Sequence, residues 1–221
     1  MTFLIRIRGD AGTVQIDDTY CNLAFMTKGV ATSNGARYTV FVVTVTGRTP
    51  LMFLRPLHGS ACISGVTNSG GTWTFKIGLG VGVTQCPYYI FDSIPGASAE
   101  RYTIRLRNAQ NQVTWDAGYK YLRVLGTVGF PNDFFTADVR GPPGYQWAVA
   151  LADPGWYILQ VFLPQGGAPS YVYHYGLNLL GGVCRCSYMQ TSRVVPIPPG
   201  SRQVVHKQSP SSVIFIDVTK L

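Results

Sequence analysis

The sequence predicts an all-β protein made of two tandem β-sandwich modules, immunoglobulin-like or jelly-roll-like, related by internal duplication. Three observations predict it. Charged residues make up 13% of the 221, with a single glutamate at Glu100. That is about half the usual share of roughly 25%, and it removes residues that helices draw on. Gly 25 and Pro 14 punctuate the chain, and Thr, Val and Tyr fill the intervals, a composition suited to short strands and tight turns. The third observation is self-similarity at a fixed offset, the mark of an internal repeat. A hydrophobic share of 46% supplies enough apolar surface for a core and excludes disorder.

Residues 3–25 (FLIRIRGDAGTVQIDDTYCNLAF) align with 102–124 (YTIRLRNAQNQVTWDAGYKYLRV) at an offset of 99. Seven of the 23 positions are identical: Ile5/Ile104, Arg6/Arg105, Arg8/Arg107, Val14/Val113, Asp17/Asp116, Tyr20/Tyr119 and Leu23/Leu122. Ordinary residue usage gives about one or two by chance. A second stretch, 73–86 (WTFKIGLGVGVTQC), aligns with 171–184 (YVYHYGLNLLGGVC) at an offset of 98. The modules are therefore 1–97 and 98–221, joined by the turn-forming Ile94-Pro95-Gly96-Ala97-Ser98-Ala99.

Each module is expected to open with a β-hairpin. Phe3, Ile5 and Ile7 alternate with Leu4, Arg6 and Arg8, the period of a half-buried strand. Gly9-Asp10-Ala11-Gly12 turns the chain, and Val14 and Ile16 alternate with Gln15 and Asp17 on the return. The second copy places Tyr102, Ile104 and Leu106 inward, turns at 108–111, and returns through Val113 and Trp115. On this pattern Arg6, Arg8, Arg105 and Arg107 face outward, with Asp17 and Asp116 available as cross-strand partners.

The first module then offers strands at Tyr38–Thr46, Pro50–Leu54, Ala61–Val66, Thr72–Lys76 and Tyr88–Asp92. The second offers Tyr145–Ala152, Trp156–Phe162, Tyr171–Leu177, Cys184–Met189 and Ser212–Thr219. Turn signals separate them at 33–35, 68–71, 141–144 and 165–167, a sandwich-like spacing. Pro196-Ile197-Pro198-Pro199-Gly200 reads as a rigid connector to the last strand.

Lys+Arg 18 against Asp+Glu 10 gives a net charge of +8. The basic residues are spread singly, without a basic helix, finger spacing or aromatic-basic RNA motif, so nucleic acid is not the expected partner. Attraction to anionic surfaces fits better. The start of the sequence has no apolar h-region, and the five cysteines (21, 62, 86, 184 and 186) are expected to be reduced and mostly buried. No apolar run reaches about 18 residues, so no membrane span is expected. The longest, Trp147 to Leu163, is broken by Asp153-Pro154-Gly155.

Candidate chemistry is sparse. Cys184 and Cys186 would share one strand face, but zinc sites usually space paired cysteines by two to four residues and add a second pair. Buried structural thiols are the expectation, and no metal or cofactor is expected. His58, His174 and His206 are isolated from nucleophile or zinc motifs. Gly78-Leu79-Gly80-Val81-Gly82 lacks the helix that a dinucleotide loop requires. Glycoside hydrolysis needs two carboxyl groups, and Asp133, Asp138 and Asp153 are scattered. The aromatic residues carry the binding flavour: Tyr88, Tyr89, Tyr119, Tyr121, Trp156, Tyr157, Tyr171, Tyr173 and Tyr175. Such rows either stack on sugars, build protein interfaces, or fill a core.

The run Tyr102-Thr103-Ile104-Arg105-Leu106-Arg107-Asn108 to Val113-Thr114-Trp115-Asp116, with Tyr119-Lys120-Tyr121-Leu122 after it, resembles the hairpin that opens modules of tailed-bacteriophage virion proteins. Phe3 to Asp17, Pro50–Pro56, and Trp73-Thr74-Phe75 leading to Tyr88-Tyr89-Ile90-Phe91-Asp92 are similar to the same pattern. The sequence differs at Thr103 and Asn111, where that pattern has Gly. The resemblance implies a structural protein of the tail, tail tip or fibre region; with the reduced thiols and the absent h-region it is expected to be made in the host cytoplasm. It implies other tail proteins as partners and a symmetric homo-oligomer, and it brings no catalytic residues. Two alternatives stay open: a carbohydrate-binding, receptor-recognising module for a host surface glycan, and a hydrolase of cell-envelope polysaccharide using Asp133 and Asp138.

Overall fold

In the computed structural model the described residues are 6–8, 14–17, 22–33, 38–131, 136–153, 156–162, 170–190, 202–208 and 210–221. The first half contributes β1 (Arg6–Arg8), β2 (Val14–Asp17), β3 (Leu23–Thr32), β4 (Thr39–Thr46), β5 (Leu51–Leu54), β6 (Ala61–Ser69), β7 (Thr72–Leu79) and β8 (Gln85–Ser93). The second half contributes β9 (Arg105–Arg107), β10 (Val113–Asp116), β11 (Val124–Gly129), β12 (Thr136–Arg140), β13 (Trp147–Leu151), β14 (Trp156–Phe162), β15 (Ser170–Leu180), β16 (Val183–Gln190), β17 (Arg202–Gln208) and β18 (Ser212–Asp217). The expected all-β sandwich is borne out. The connector at 196–200 and the turn at 165–167 lie outside the described residues.

Both sheets run through both halves of the chain. A six-stranded sheet has the order β11-β18-β13-β5-β8-β3, and an eight-stranded one contains the path β12-β16-β15-β6-β7-β4, with β14 and β17 added beside β15. The order β3-β8-β5 in the first half recurs as β11-β18-β13, and β4-β7-β6 recurs as β12-β16-β15. The halves meet through equivalent strands, antiparallel in both sheets: β5 with β13 at Leu54↔Val149, and β6 with β15 at Ala61↔Leu177. The duplicated chain thus behaves as a pseudo-two-fold dimer fused into one sandwich.

This topology corrects the second sequence alignment. Residues 73–86 begin on β7, whose place in the repeat is taken by β16, whereas 171–184 fall mainly on β15. Strand alternation has period two, so one apolar strand aligns with its neighbour's counterpart almost as well as with its own. The insertion of β14 shifts the element count by one. The feature the two halves share is a two-residue Gly-Gly hairpin turn. Gly70-Gly71 has φ of 57° and 83°, and Gly181-Gly182 has 60° and 80°, the left-handed backbone that such turns demand.

The core explains which strands read as apolar throughout. Met52 and Leu54 of β5 and Ile90 of β8 face the eight-stranded sheet, packing with Phe75, Ile77 and Leu79. In the second half Val149, Tyr175, Leu177, Val213 and Phe215 pack in the same way. Phe53, Tyr89, Phe91, Ala148 and Ile216 form another cluster, against which Leu122 and Leu221 pack. The six-stranded sheet is therefore buried on both faces, so β5, β8 and β18 show apolar runs instead of strict alternation.

Candidate functional site

The second hairpin is built around a buried carboxylate. β9 and β10 pair antiparallel with Arg105 opposite Asp116. The turn is closed by Asn108, whose Oδ1 accepts from the backbone N–H of Gln110 (3.1 Å) and Gln112 (2.9 Å). Asn111 has φ 62°. Asn tolerates this left-handed backbone better than other side-chain-bearing residues, which suits it to this turn position.

Asp116 has 0% exposure and is ringed by donors. Its Oδ2 accepts from Arg105 Nε (2.7 Å) and Ser98 N (2.8 Å). Its Oδ1 accepts from Ser98 Oγ and Thr103 Oγ1 (both 3.0 Å) and from Gly118 N (2.8 Å). Burial alone would raise the Asp116 pKa. The Arg105 hydrogen bond, helped by Ser98, Gly118 and Thr103, outweighs it and holds the carboxyl well below the usual range. Arg105 also donates to the carbonyls of Ser98 (3.0 Å) and Glu100 (2.8 Å), tying the incoming segment to the hairpin. The Tyr121 hydroxyl accepts from Asp116 N (2.6 Å) and donates to Asp116 O (3.0 Å). Tyr121 bridges to Ala24 of β3, so the knot is moored to the sandwich.

This reverses the expected facing. Arg105 pairs with Asp116 as its register suggests, yet the pair points inward and is not surface chemistry. Tyr102 and Ile104, expected inside, are 90% and 70% exposed. Alternation fixes which residues share a face; the five donors converging on Asp116 decide which face is covered. Thr103 and Arg105 turn in, so Tyr102 and Ile104 turn out. Arg101 lies 5.8 Å from the Tyr102 ring centre. Glu100, Tyr102, Thr103, Ile104, Ala117 and Gly118 line a shallow open depression there. Arg107 stays outside, donating to the Asn111 carbonyl (2.7 Å). In the first hairpin, Arg6 stands opposite Asp17 in the same register; the side chains of Arg6 and Arg8 lie outside the described residues. β2 lies beside β10, so the two hairpins are neighbours.

The sequence-predicted aromatic residues are dispersed. Tyr89 and Tyr175 are buried, and the Tyr175 hydroxyl donates to Tyr188 Oη at 2.7 Å, so these two offer no face to a sugar. Tyr88, Tyr119, Tyr121 and Tyr173 are half-buried. Tyr88 packs on the core, and Tyr121 stacks on Trp115 with ring centres 5.9 Å apart. The side chains of Trp156, Tyr157 and Tyr171 lie outside the described residues. The exposed aromatic that matters, Tyr102, was hidden by reading its strand as apolar-in. The sequence signal that marks it is the repeated Arg-Asp pair at 6/17 and 105/116.

Other candidates have structural roles. Asp138 forms a two-pronged ion pair with Arg185, with both contacts at 2.8 Å, and Asp133 lies outside the described residues. Asp92 caps a turn by accepting from the N–H groups of Arg48 (2.7 Å) and Thr49 (2.9 Å), beside a cavity of about 480 Å³ reached by Tyr119. A second cavity of about 410 Å³ opens at the seam where β6 and β15 separate, lined by Cys62, Val149 and His174 among others. Burial lowers the His174 pKa. Cys62, Cys86, Cys184 and Cys186 are free and buried; burial pushes the thiols of Cys62, Cys86 and Cys184 up to about 12. Among the described residues, no group of three His, Cys, Asp or Glu could hold a metal, and no helix is long and apolar enough to cross a membrane. No protein-family model, curated protein or solved structure matches the chain.

Proposed function

We propose that this chain is a non-enzymatic structural component of a bacteriophage virion. It acts in the tail, tail tip or fibre region as an assembly or host-attachment piece, made in the host cytoplasm and used in several copies. One observation carries the reading: a hairpin locked by a fully buried Asp116 holds Tyr102 and Ile104 out in solvent. Two adjacent exposed large apolar side chains on a rigid support suit a protein contact, where buried aromatic anchors dominate the binding energy. The repeated hairpin, with its resemblance to virion modules, supports the same reading. Mass spectrometry of gradient-purified particles from a lysate expressing the chain should detect it at a fixed ratio to the major tail proteins. Its absence from the particles overturns the proposal.

A glycan-binding role is the second reading, now resting on Tyr102 in place of the tyrosine rows. Its open ring, flanked by Arg101 and the depression containing Glu100, has the form of a sugar-stacking platform. A lipopolysaccharide pull-down at low salt, with Tyr102→Ala as the control, tests it; equal retention of the two proteins counts against it.

A further inference from the structure

Among the described residues, β4 is an edge with no strand on its outer side. It ends the eight-stranded sheet, pairs with β7 on one side, and hydrogen-bonds to no other strand among the described residues. Its sequence, TVFVVTVT, contains no charge, no proline and no glycine. Val40 and Val42 are 45% and 54% exposed. Proteins usually blunt such an edge, because its free N–H and C=O groups template pairing with another chain.

Among the described residues, the other edges of the two large sheets carry features that blunt them. β3 carries an exposed Lys28, and its start is covered by hydrogen bonds with Lys120 and Leu122. β11 is short and holds Gly126 and Gly129. β17 contains Arg202 and Lys207. The sharpest contrast is β12, the pseudo-two-fold counterpart of β4. Extending the register from the seam places Asp138 and Arg140 of β12 where β4 has Val40 and Val42. One copy of the repeat carries charges on its outer strand, and the other is apolar.

We infer that β4 pairs antiparallel with β4 of a second copy of this chain, continuing the eight-stranded sheet across a two-fold axis. The fold already uses this operation, since both seams join equivalent strands antiparallel. Self-pairing about Val42 or Val43 sets Val, Phe and Thr against one another on both faces and opposes no like charges. Pairing β4 with β12 would instead place Asp138 and Arg140 against valines. An edge of eight residues is about 27 Å long at the usual rise, one strand's worth of contact, so weak association is the expectation to test. The inference concerns the isolated chain and stands independently of the virion reading.

Sedimentation velocity of the full chain tests it between about 5 and 200 µM, a range suited to weak association. The wild type should shift from the 24.2 kDa monomer toward twice that mass. Val42→Lys places like charges opposite or diagonal to each other across the axis and should raise the dissociation constant at least about tenfold; Val40→Lys, farther from the axis, sets a charge against Thr44 or Thr46 and should weaken pairing less. Asp138→Lys on β12 should leave it unchanged. Circular dichroism confirms that each variant is folded. A wild type that stays monomeric throughout, or a dimer insensitive to both valine substitutions, overturns the inference. Weakening by Asp138→Lys alone would also overturn it by moving the contact to β12.

Discussion

Asp116→Asn isolates the charge at the centre of the hairpin while keeping its shape. The carboxylate accepts from Arg105 Nε, Ser98 N, Ser98 Oγ, Thr103 Oγ1 and Gly118 N. An amide offers one acceptor oxygen, and its NH₂ must face either the Arg105 and Ser98 N–H groups or the Gly118 N–H. Donor opposes donor in both orientations, because only the two hydroxyls can reverse. Removing one partner of a buried ion pair costs about 3–5 kcal/mol. Arg105 is 28% exposed at its side chain and keeps two carbonyl acceptors, so the lower end applies, about 3 kcal/mol, or on the order of 100-fold in the opening equilibrium. Hydrogen exchange should show faster exchange at the amides of Ser98 and Gly118, and urea titration reads any global share. The pH dependence has a fixed sign. The folded pKa is depressed, so this stability is present above the ordinary aspartate range and is lost as pH falls through the folded value. The wild type should lose stability on acidification below about pH 4, and Asp116→Asn should show a shallower acid limb. Unchanged exchange at Ser98 and Gly118 together with an unchanged acid limb would show that the Asp116 charge does not lock the hairpin.

Other perturbations read separate parts of the fold. Gly182 has φ 80° with open space around it, so Gly182→Ala should cost about 1–2 kcal/mol from backbone strain alone, seen as a lower urea midpoint. Tyr175→Phe removes the 2.7 Å hydroxyl contact with Tyr188 and should cost about 1 kcal/mol by the same titration. Phe91, with 0% exposure and edge contacts to Phe25 and Phe53, should cost about 3–5 kcal/mol on replacement by alanine. Cys62, Cys86, Cys184 and Cys186 should resist a thiol reagent at neutral pH until the protein unfolds, because burial disfavours each thiolate; rapid modification of any of these four in the native protein would contradict their placement.

What the sequence made legible followed local pattern. β4, β5, β8 and β18 were visible as apolar or alternating runs, and Gly70-Gly71 as a turn. β3 was not, because a bulge between Phe25 and Thr27 interrupts its alternation. β12 was missed because TADVR spends its outward positions on Asp138 and Arg140. Pairing of β5 with β13 and of β6 with β15 joins residues about a hundred positions apart, which no local window encodes. The hairpin's inversion had a similar cause. Period-two alternation names two faces without saying which is covered, and on a strand as short as β9 a few polar contacts outweigh the apolar side chains. The Arg-Asp repeat carried that information, since a buried carboxylate must be surrounded by donors.

We propose that the Asp116-locked hairpin presents Tyr102 and Ile104 as a contact by which the chain joins a virion. The most direct measurement is incorporation into particles of wild-type protein against the double variant Tyr102→Ser, Ile104→Ser, quantified by mass spectrometry after gradient purification. Both side chains are solvent-exposed, so the variant should fold like the wild type. The wild type should be incorporated, and the double variant should be strongly depleted from particles while remaining soluble in the lysate. Equal incorporation of the two proteins, or exclusion of both, would contradict it.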